Sequence, residues 1–198
     1  MPVVDSSPLI YLWKVEKLYL PRELYGYLKI PTAVYHEVVV RSEEKGFEDA
    51  LRGKGEAGKF LSVHNPKAET VNGVKERLKK LGFRLSLGGI ECIALCLCLD
   101  TNDKLLLSDD DAKKFARIYG IDGRGTIYIL LRSYKEGALS KRECIELLKA
   151  SLKRVFNAEV TSIFYRTLDR ISEVFLEKLS NKSAIIIPAK CSLKGAVR

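Results

Sequence analysis

Leu87–Lys114, LGGIECIALCLCLDTNDKLLLSDDDAKK, is the stretch whose reading decides the fold. Ile90 to Leu99 is apolar on nearly every side of a helix and carries one carboxylate, Glu91, in what the pattern makes its first turn. A helix that apolar is normally covered on several sides. Asp100 to Asp103 read as a polar turn, and Leu105–Leu107 as a buried strand closed by Ser108. Asp109, Asp110 and Asp111 then stand where a strand leaves a sheet. In open α/β sheets ligands bind outside the carboxyl ends of the strands, so Glu91 and the aspartate run are candidates for one shared site.

Working outward, the N-terminal part alternates in the same way. Pro2 to Asp5 is a short apolar strand ending in a carboxylate, and Ser6, Ser7 and Pro8 open a helix running to about Trp13. Leu18 to Gly26 is a second helical piece, Leu28 to Ile30 a second strand, and Pro31 starts a helix carrying Val34, Glu37 and Val38. Strand, helix, strand, helix points to parallel pairing through crossovers. The glycine-interrupted segment Arg41–Lys59 reads as one or two short mobile helices, Leu61–His64 as a short strand, and Pro66–Leu81 as a helix with Val71, Val74, Leu78 and Leu81 on its apolar face. Past the aspartates, helices are expected over Ala112–Tyr119, closed by Gly120, and over Thr126–Tyr134. A Ser140–Glu143 capping box opens another, running to about Phe156 with Ile145, Leu148 and Leu152 inward. An amphipathic helix over Ser162–Leu179 and a basic tail over Ser183–Arg198 complete the chain.

With 198 residues, 46% hydrophobic and 30% charged, the composition is that of a soluble globular protein of one domain, or one domain with an appendage. No apolar run reaches the roughly 18 residues of a membrane span. The start, MPVVDSSPLIYL, lacks the basic opening and small-residue cleavage site of a signal peptide. Five cysteines, three of them on one apolar helix, suit reduced thiols, so a cytoplasmic location is expected. Cys92, Cys96 and Cys98 lack a second ligand cluster for zinc and read as small buried hydrophobes. His36 and His64 are isolated and read as surface or packing residues. A net charge of +9 allows nucleic-acid or acidic-membrane partners. The contrast is informative: the candidate site is acidic while the chain is basic.

Four acids stand at similar structural places. Asp5 ends the first strand, Glu37 sits early in a helix, Glu91 begins the central helix, and Asp109 follows the next buried strand. Parallel strands bring all four to one sheet edge. Two unit charges about 5 Å apart repel by roughly 3 kcal/mol at an effective dielectric near 20, so such a cluster needs protons or cations. Oxygen ligands without a nearby histidine suit Mg²⁺ or Mn²⁺, which promotes in-line displacement at phosphorus. Each acid also has a plainer role: Asp5 as a helix N-cap, Glu37 as a solvated carboxylate, Glu91 as a favourable charge at a helix start, and the aspartate run as a cap with first-turn acids.

In order and spacing, VVDSSPLI, IPTAVYHEV, GGIECIAL, LLLSDDDAKKFARIYG and RGTIYILLRSYKEG resemble a PIN-domain protein of the VapC-type toxin ribonuclease family. The resemblance covers residues 1 to about 155. It implies a three-layer α/β/α sandwich with a central parallel sheet, here of four or five strands; the C-terminal helical extension over 156–198, read from its amphipathic pattern, has no counterpart in the short toxins. It implies that Asp5, Glu37, Glu91 and Asp109 bind one or two Mg²⁺ or Mn²⁺ ions, with Asp110 and Asp111 as alternates for the fourth acid. Ser6 is expected to orient Asp5, and Thr126 to lie at the rim. The implied activity is hydrolysis of RNA phosphodiesters by metal-activated water. An antitoxin protein and a second copy of the chain are the implied partners. Two departures stand out: Gly88-Gly89 replaces an accessory carboxylate, and Asp122-Gly123-Arg124 replaces the last apolar strand, leaving that strand frayed or absent. The alternative is a non-catalytic PIN-like module that binds RNA or protein through basic surface.

Overall fold

Val3–Val4 (β1), Leu28–Pro31 (β2), Leu61–His64 (β3), Leu105–Leu106 (β4) and Gly123–Arg124 (β5) form one all-parallel sheet in the order β3-β2-β1-β4-β5. The computed structural model describes residues 1–40, 60–99 and 105–153. Val3, Val4, Leu28, Leu105 and Leu106 are wholly buried, as the strands of a parallel sheet covered on both faces must be. The fold is a three-layer α/β/α sandwich. Its layers are built from Ser6–Lys14 (α1), Tyr19–Tyr25 (α2), Thr32–Tyr35 (α3), Ala68–Leu81 (α4), Leu87–Cys98 (α5), Asp110–Ile118 (α6) and Thr126–Lys135 (α7). α4 packs on α5, α1 and α2 pack on α7, and α5 also touches β1, β2 and β4.

The chain divides into two compact units, Met1–Leu139 and Ser140–Arg198. The second holds Lys141–Lys153 (α8), opened by the expected capping box: the Ser140 N–H and hydroxyl both donate to Glu143 Oε2, and the Glu143 N–H donates back to Ser140 Oγ. Its buried side chains are Cys144 and Leu148, with Ile145 only partly covered. The burial of Leu152, the helix expected over Ser162–Leu179, the tail, the boundary near 155 and the segment Arg41–Lys59 lie outside the described residues. No helix among the described residues is long and apolar enough to cross a membrane.

Three expectations are corrected. The last strand is present: Leu105 and Leu106 pair with Gly123 and Arg124, and the Leu107 N–H donates to the Arg124 carbonyl at 2.8 Å. It is not apolar because the neighbouring chain passes too close. A Cβ at Gly123 would lie 2.9 Å from Leu107 Cδ2 and 3.1 Å from Lys113 Cγ. Second, the central helix begins at Leu87, not Ile90, because the Ser86 hydroxyl accepts the Gly89 N–H at 3.1 Å and caps it there. Glu91 is therefore in the second turn. Third, the helix after Pro31 changes character: one α-helical turn, α3, continues as a π-helical segment over His36–Val40. Such wide turns are rare and concentrate at functional sites.

Candidate active site

Strand order puts the site where parallel sheets put theirs. From β1 the chain winds outward through β2 and β3, then returns to β4 on the other side of β1 and continues to β5. The switch point therefore falls between β1 and β4, at the crevice outside their carboxyl ends. Asp5 leaves β1 there, with its N–H held by the Leu106 carbonyl at 2.9 Å. Ser108 and Asp109 leave β4 beside it.

Asp5 is 4% exposed, and its Oδ1 has no hydrogen-bond partner. Burial, then the charges of Glu37 and Asp109, push its carboxyl up to about 6, against the pull of the Ser6 and Ser7 backbone N–H groups. Glu37, in the π-helical segment, comes to the same place. A Cβ built on Gly88, in the first turn of α5, would lie 3.2 Å from Asp5 Oδ1 and 3.3 Å from Glu37 Oε2. It would also lie 3.2 Å from Val34 Cγ2. Two carboxylate oxygens thus flank one methyl-sized space that glycine leaves open. Gly88 forms part of the site's wall, whereas a Cβ on Gly89, where the family pattern has its accessory carboxylate, would face Ser86 and Leu85.

The other acids take different stations. Glu91 is half-buried on α5, and its Oε2 accepts the Ala33 N–H at 2.9 Å. It thereby satisfies a first-turn donor of α3, the helix that leads into Glu37. Asp109 is exposed and caps α6, Oδ1 accepting from the Ala112 N–H at 2.6 Å. Its charge still reaches Asp5. Asp110 and Asp111 are exposed and paired with Lys113 at 2.8 Å and Lys114 at 2.9 Å as helix-surface ion pairs. Ser6 is buried at the start of α1, and Thr126 Oγ1 shares a 3.0 Å hydrogen bond with Ser108 Oγ at the start of α7.

Sequence reasoning passed over two contributors. Lys113 Nζ donates to the Ser108 carbonyl at 3.0 Å as well as to Asp110, tying α6 to the end of β4. Its only sequence signal is a lysine three residues after an aspartate. The Ala33 N–H had no signal at all, since its partner lies 58 residues away.

As the side chains stand, no three His, Cys, Asp or Glu among the described residues are close enough to hold a metal ion together. The donor set nonetheless suits a hard divalent cation. A buried carboxylate oxygen without a hydrogen bond stands next to a second carboxylate, and Mg²⁺ is commonly held by one or two carboxylates plus water and substrate phosphate.

Against known proteins, a family model described as a PIN domain matches residues 1–169. The chain belongs to the PIN-domain family. A search of curated proteins finds no match. PIN domains are generally nucleases, so at the coarse level this PIN domain has a nuclease-type fold and a hydrolase's architecture.

Filling the glycine space is a direct test. Gly88→Ala is expected to leave stability within about 1 kcal/mol, since alanine is the better helix former. The methyl would displace the Asp5 and Glu37 carboxylates by tenths of an ångström and lower any hydrolysis about 10- to 100-fold. Melting and rate are measured on one preparation. A variant with the parent's melting temperature and full rate would place the chemistry elsewhere.

Proposed function

We propose that this PIN domain is an endoribonuclease that hydrolyses RNA phosphodiester bonds with Mg²⁺ or Mn²⁺, and that it acts as the VapC-type toxin of a toxin–antitoxin pair. The observation that carries the nuclease reading is the unpartnered, buried Asp5 Oδ1 facing the same opening as Glu37 at the sheet's switch point. A buried anion beside a second anion is costly unless a cation completes it. The toxin role, an antitoxin partner and homodimerisation rest on the family resemblance, and a cytoplasmic location on the reading of the cysteines as reduced thiols.

The four carboxylates share the work unequally in this reading. Asp5 and Glu37 would hold the ion, and Asp109 adds negative potential from the end of β4. When bound, the ion supplies Lewis acidity to the phosphodiester and offsets charge developing on its oxygens. Glu91 keeps α3 in place through Ala33 and so fixes where Glu37 stands. Ser6 closes the floor beside Asp5. Thr126 and Ser108 brace the opposite rim. Gly88 and Val34 wall the Asp5–Glu37 opening, and burial keeps bulk solvent from the Asp5 carboxyl.

The test is metal dependence. RNA incubated with the purified full chain is expected to be cut when Mg²⁺ or Mn²⁺ is supplied, and to survive when a chelator is added. Cleavage that persists unchanged in excess chelator would rule out the reading. Salt-sensitive RNA binding with no cleavage under either metal would assign the chain to the non-catalytic class instead.

A further inference from the structure

We propose that Arg124, with Tyr128 and Arg132, forms the seat for the RNA strand beside the acidic opening, Arg124 contacting a backbone phosphate of the substrate. This rests on the nuclease reading above and adds the residues that would bring a polyanion to a negative site.

The need follows from charge. Asp5, Glu37 and Asp109 repel phosphate, so a strand can settle there only if cations lie within reach. Position selects Arg124. Val4 pairs with Leu106, and Leu106 with Arg124, so the residue before Asp5 and Arg124 stand in one row of the sheet. Two strand spacings, about 10 Å, separate their backbones. Arg124 is thus at the same carboxyl edge as Asp5, one residue before the Gly125–Thr126 start of α7.

Its surroundings preorganise it. The Arg124 guanidinium lies 5.1 Å from the Tyr128 ring centroid, and its Nε donates to Asp122 Oδ2 at 2.8 Å. Four residues further along α7, Arg132 lies 5.0 Å from the Tyr25 ring centroid. Tyr128 and Arg132, four apart on α7, lie on one face of that helix, and Arg124 at the end of β5 reaches Tyr128 across the Gly125 turn. The Tyr25 hydroxyl is buried next to Arg132 and Tyr128 without a fully formed hydrogen bond. Arg124 and Arg132 stay 29% and 27% exposed, Arg124 paired with Asp122 and Arg132 with Glu136 at 3.6 Å, exposed carboxylates that a phosphate could replace. Arginines set over aromatic rings beside a backbone-tracking groove are a means by which single-stranded nucleic acid is gripped without base-specific contacts. Asp122 would act as a placeholder for phosphate, exchanged when RNA arrives.

The test uses the full chain and a single-stranded oligouridylate in metal-free buffer over a KCl series. Arg124→Gln is expected to weaken binding several-fold and to reduce the salt slope by about 0.7, one phosphate contact on a single strand. Arg124→Lys should restore the slope. Asp122→Asn, an exposed change that frees Arg124, should tighten binding, and melting curves check that each variant folds. With Mg²⁺ or Mn²⁺, Arg124→Gln should raise KM more than it lowers kcat. Unchanged affinity and slope in Arg124→Gln would overturn the proposal, as would a parent chain that binds no oligouridylate. Binding that loses slope in Arg124→Gln, with no cleavage under any metal, would uphold the seat and defeat the nuclease reading. Cleavage with unaltered KM in Arg124→Gln would do the reverse.

Discussion

Asp5→Asn is expected to abolish RNA cleavage while making the metal-free protein more stable at pH 8. Both effects come from one observation: a 4%-exposed carboxyl whose pKa is pushed up to about 6 by burial and by the charges of Glu37 and Asp109. In the proposed nuclease Asp5 is the most enclosed ion-holding oxygen, and losing a preorganised electrostatic group of that kind costs about 10²- to 10³-fold or more. For stability the direction follows from linkage. The folded pKa lies above the ordinary aspartate value, so the stabilisation from binding the proton is complete below about pH 3.8 and is lost as pH rises through about 6. At pH 8 the parent carries a buried, repelled charge that asparagine removes, which is worth on the order of 2–3 kcal/mol for a shift of about 2 units. At pH 4 the parent's carboxyl is largely protonated, and most of the advantage should vanish. Urea unfolding of both proteins in chelator, at the two pH values, measures it. An equal difference at both pH values would mean that the charge on Asp5 is not what the substitution relieves. A variant that keeps its cleavage rate would remove Asp5 from the chemistry.

This coupling explains which parts of the molecule could be read from the chain. β1 and β4 were legible because an apolar pair ends in a carboxylate or a polar turn, and a parallel sheet demands burial on both faces. β5 was not, because Gly123-Arg124 has no strand signature. It is a strand because its backbone pairs with β4 and accepts the Leu107 N–H, and glycine stands at 123 because Leu107 and Lys113 leave no room for a Cβ. Asp5 and Glu37 were legible as a strand-end acid and an early-helix acid, and the structure brings them to one opening. The station of Glu91 was not, since its bond to Ala33 depends on how two helices cross. The aspartate run carried two meanings at once, ligand or cap. Asp109 has the cap's geometry and Asp110 and Asp111 the first-turn pairing, while the field of Asp109 still bears on Asp5. Local rules name the residue types, but direction is set by packing between elements far apart in sequence.

Phe115→Ala is expected to be the most damaging change to the fold that leaves every proposed site residue in place. Phe115 is fully buried on α6, with Phe83 at 5.4 Å and Tyr119 at 5.5 Å between ring centroids, in the tilted and edge-on arrangements aromatic rings favour. Removing the ring from such a position costs about 3–5 kcal/mol through lost burial and the cavity left behind. For a chain of this size that is a fall in Tm of roughly 6–20 °C. The site feels it indirectly. α6 carries the Asp109 cap, and through Lys113 it is tied to the Ser108 carbonyl at the end of β4. With its anchor gone the helix should open more readily, yet each folded molecule keeps its carboxylates. The rate per folded molecule well below Tm should therefore stay near the parent's, in contrast to Asp5→Asn, which keeps the fold and loses the rate. Thermal unfolding followed by circular dichroism, with rates taken at a temperature where both proteins are folded, separates the two. A loss below about 1 kcal/mol would show that Phe115 is not a keystone of the α6 packing. A collapse of rate in a variant still fully folded would mean that the position of α6 tunes the chemistry more tightly than its hydrogen bonds imply.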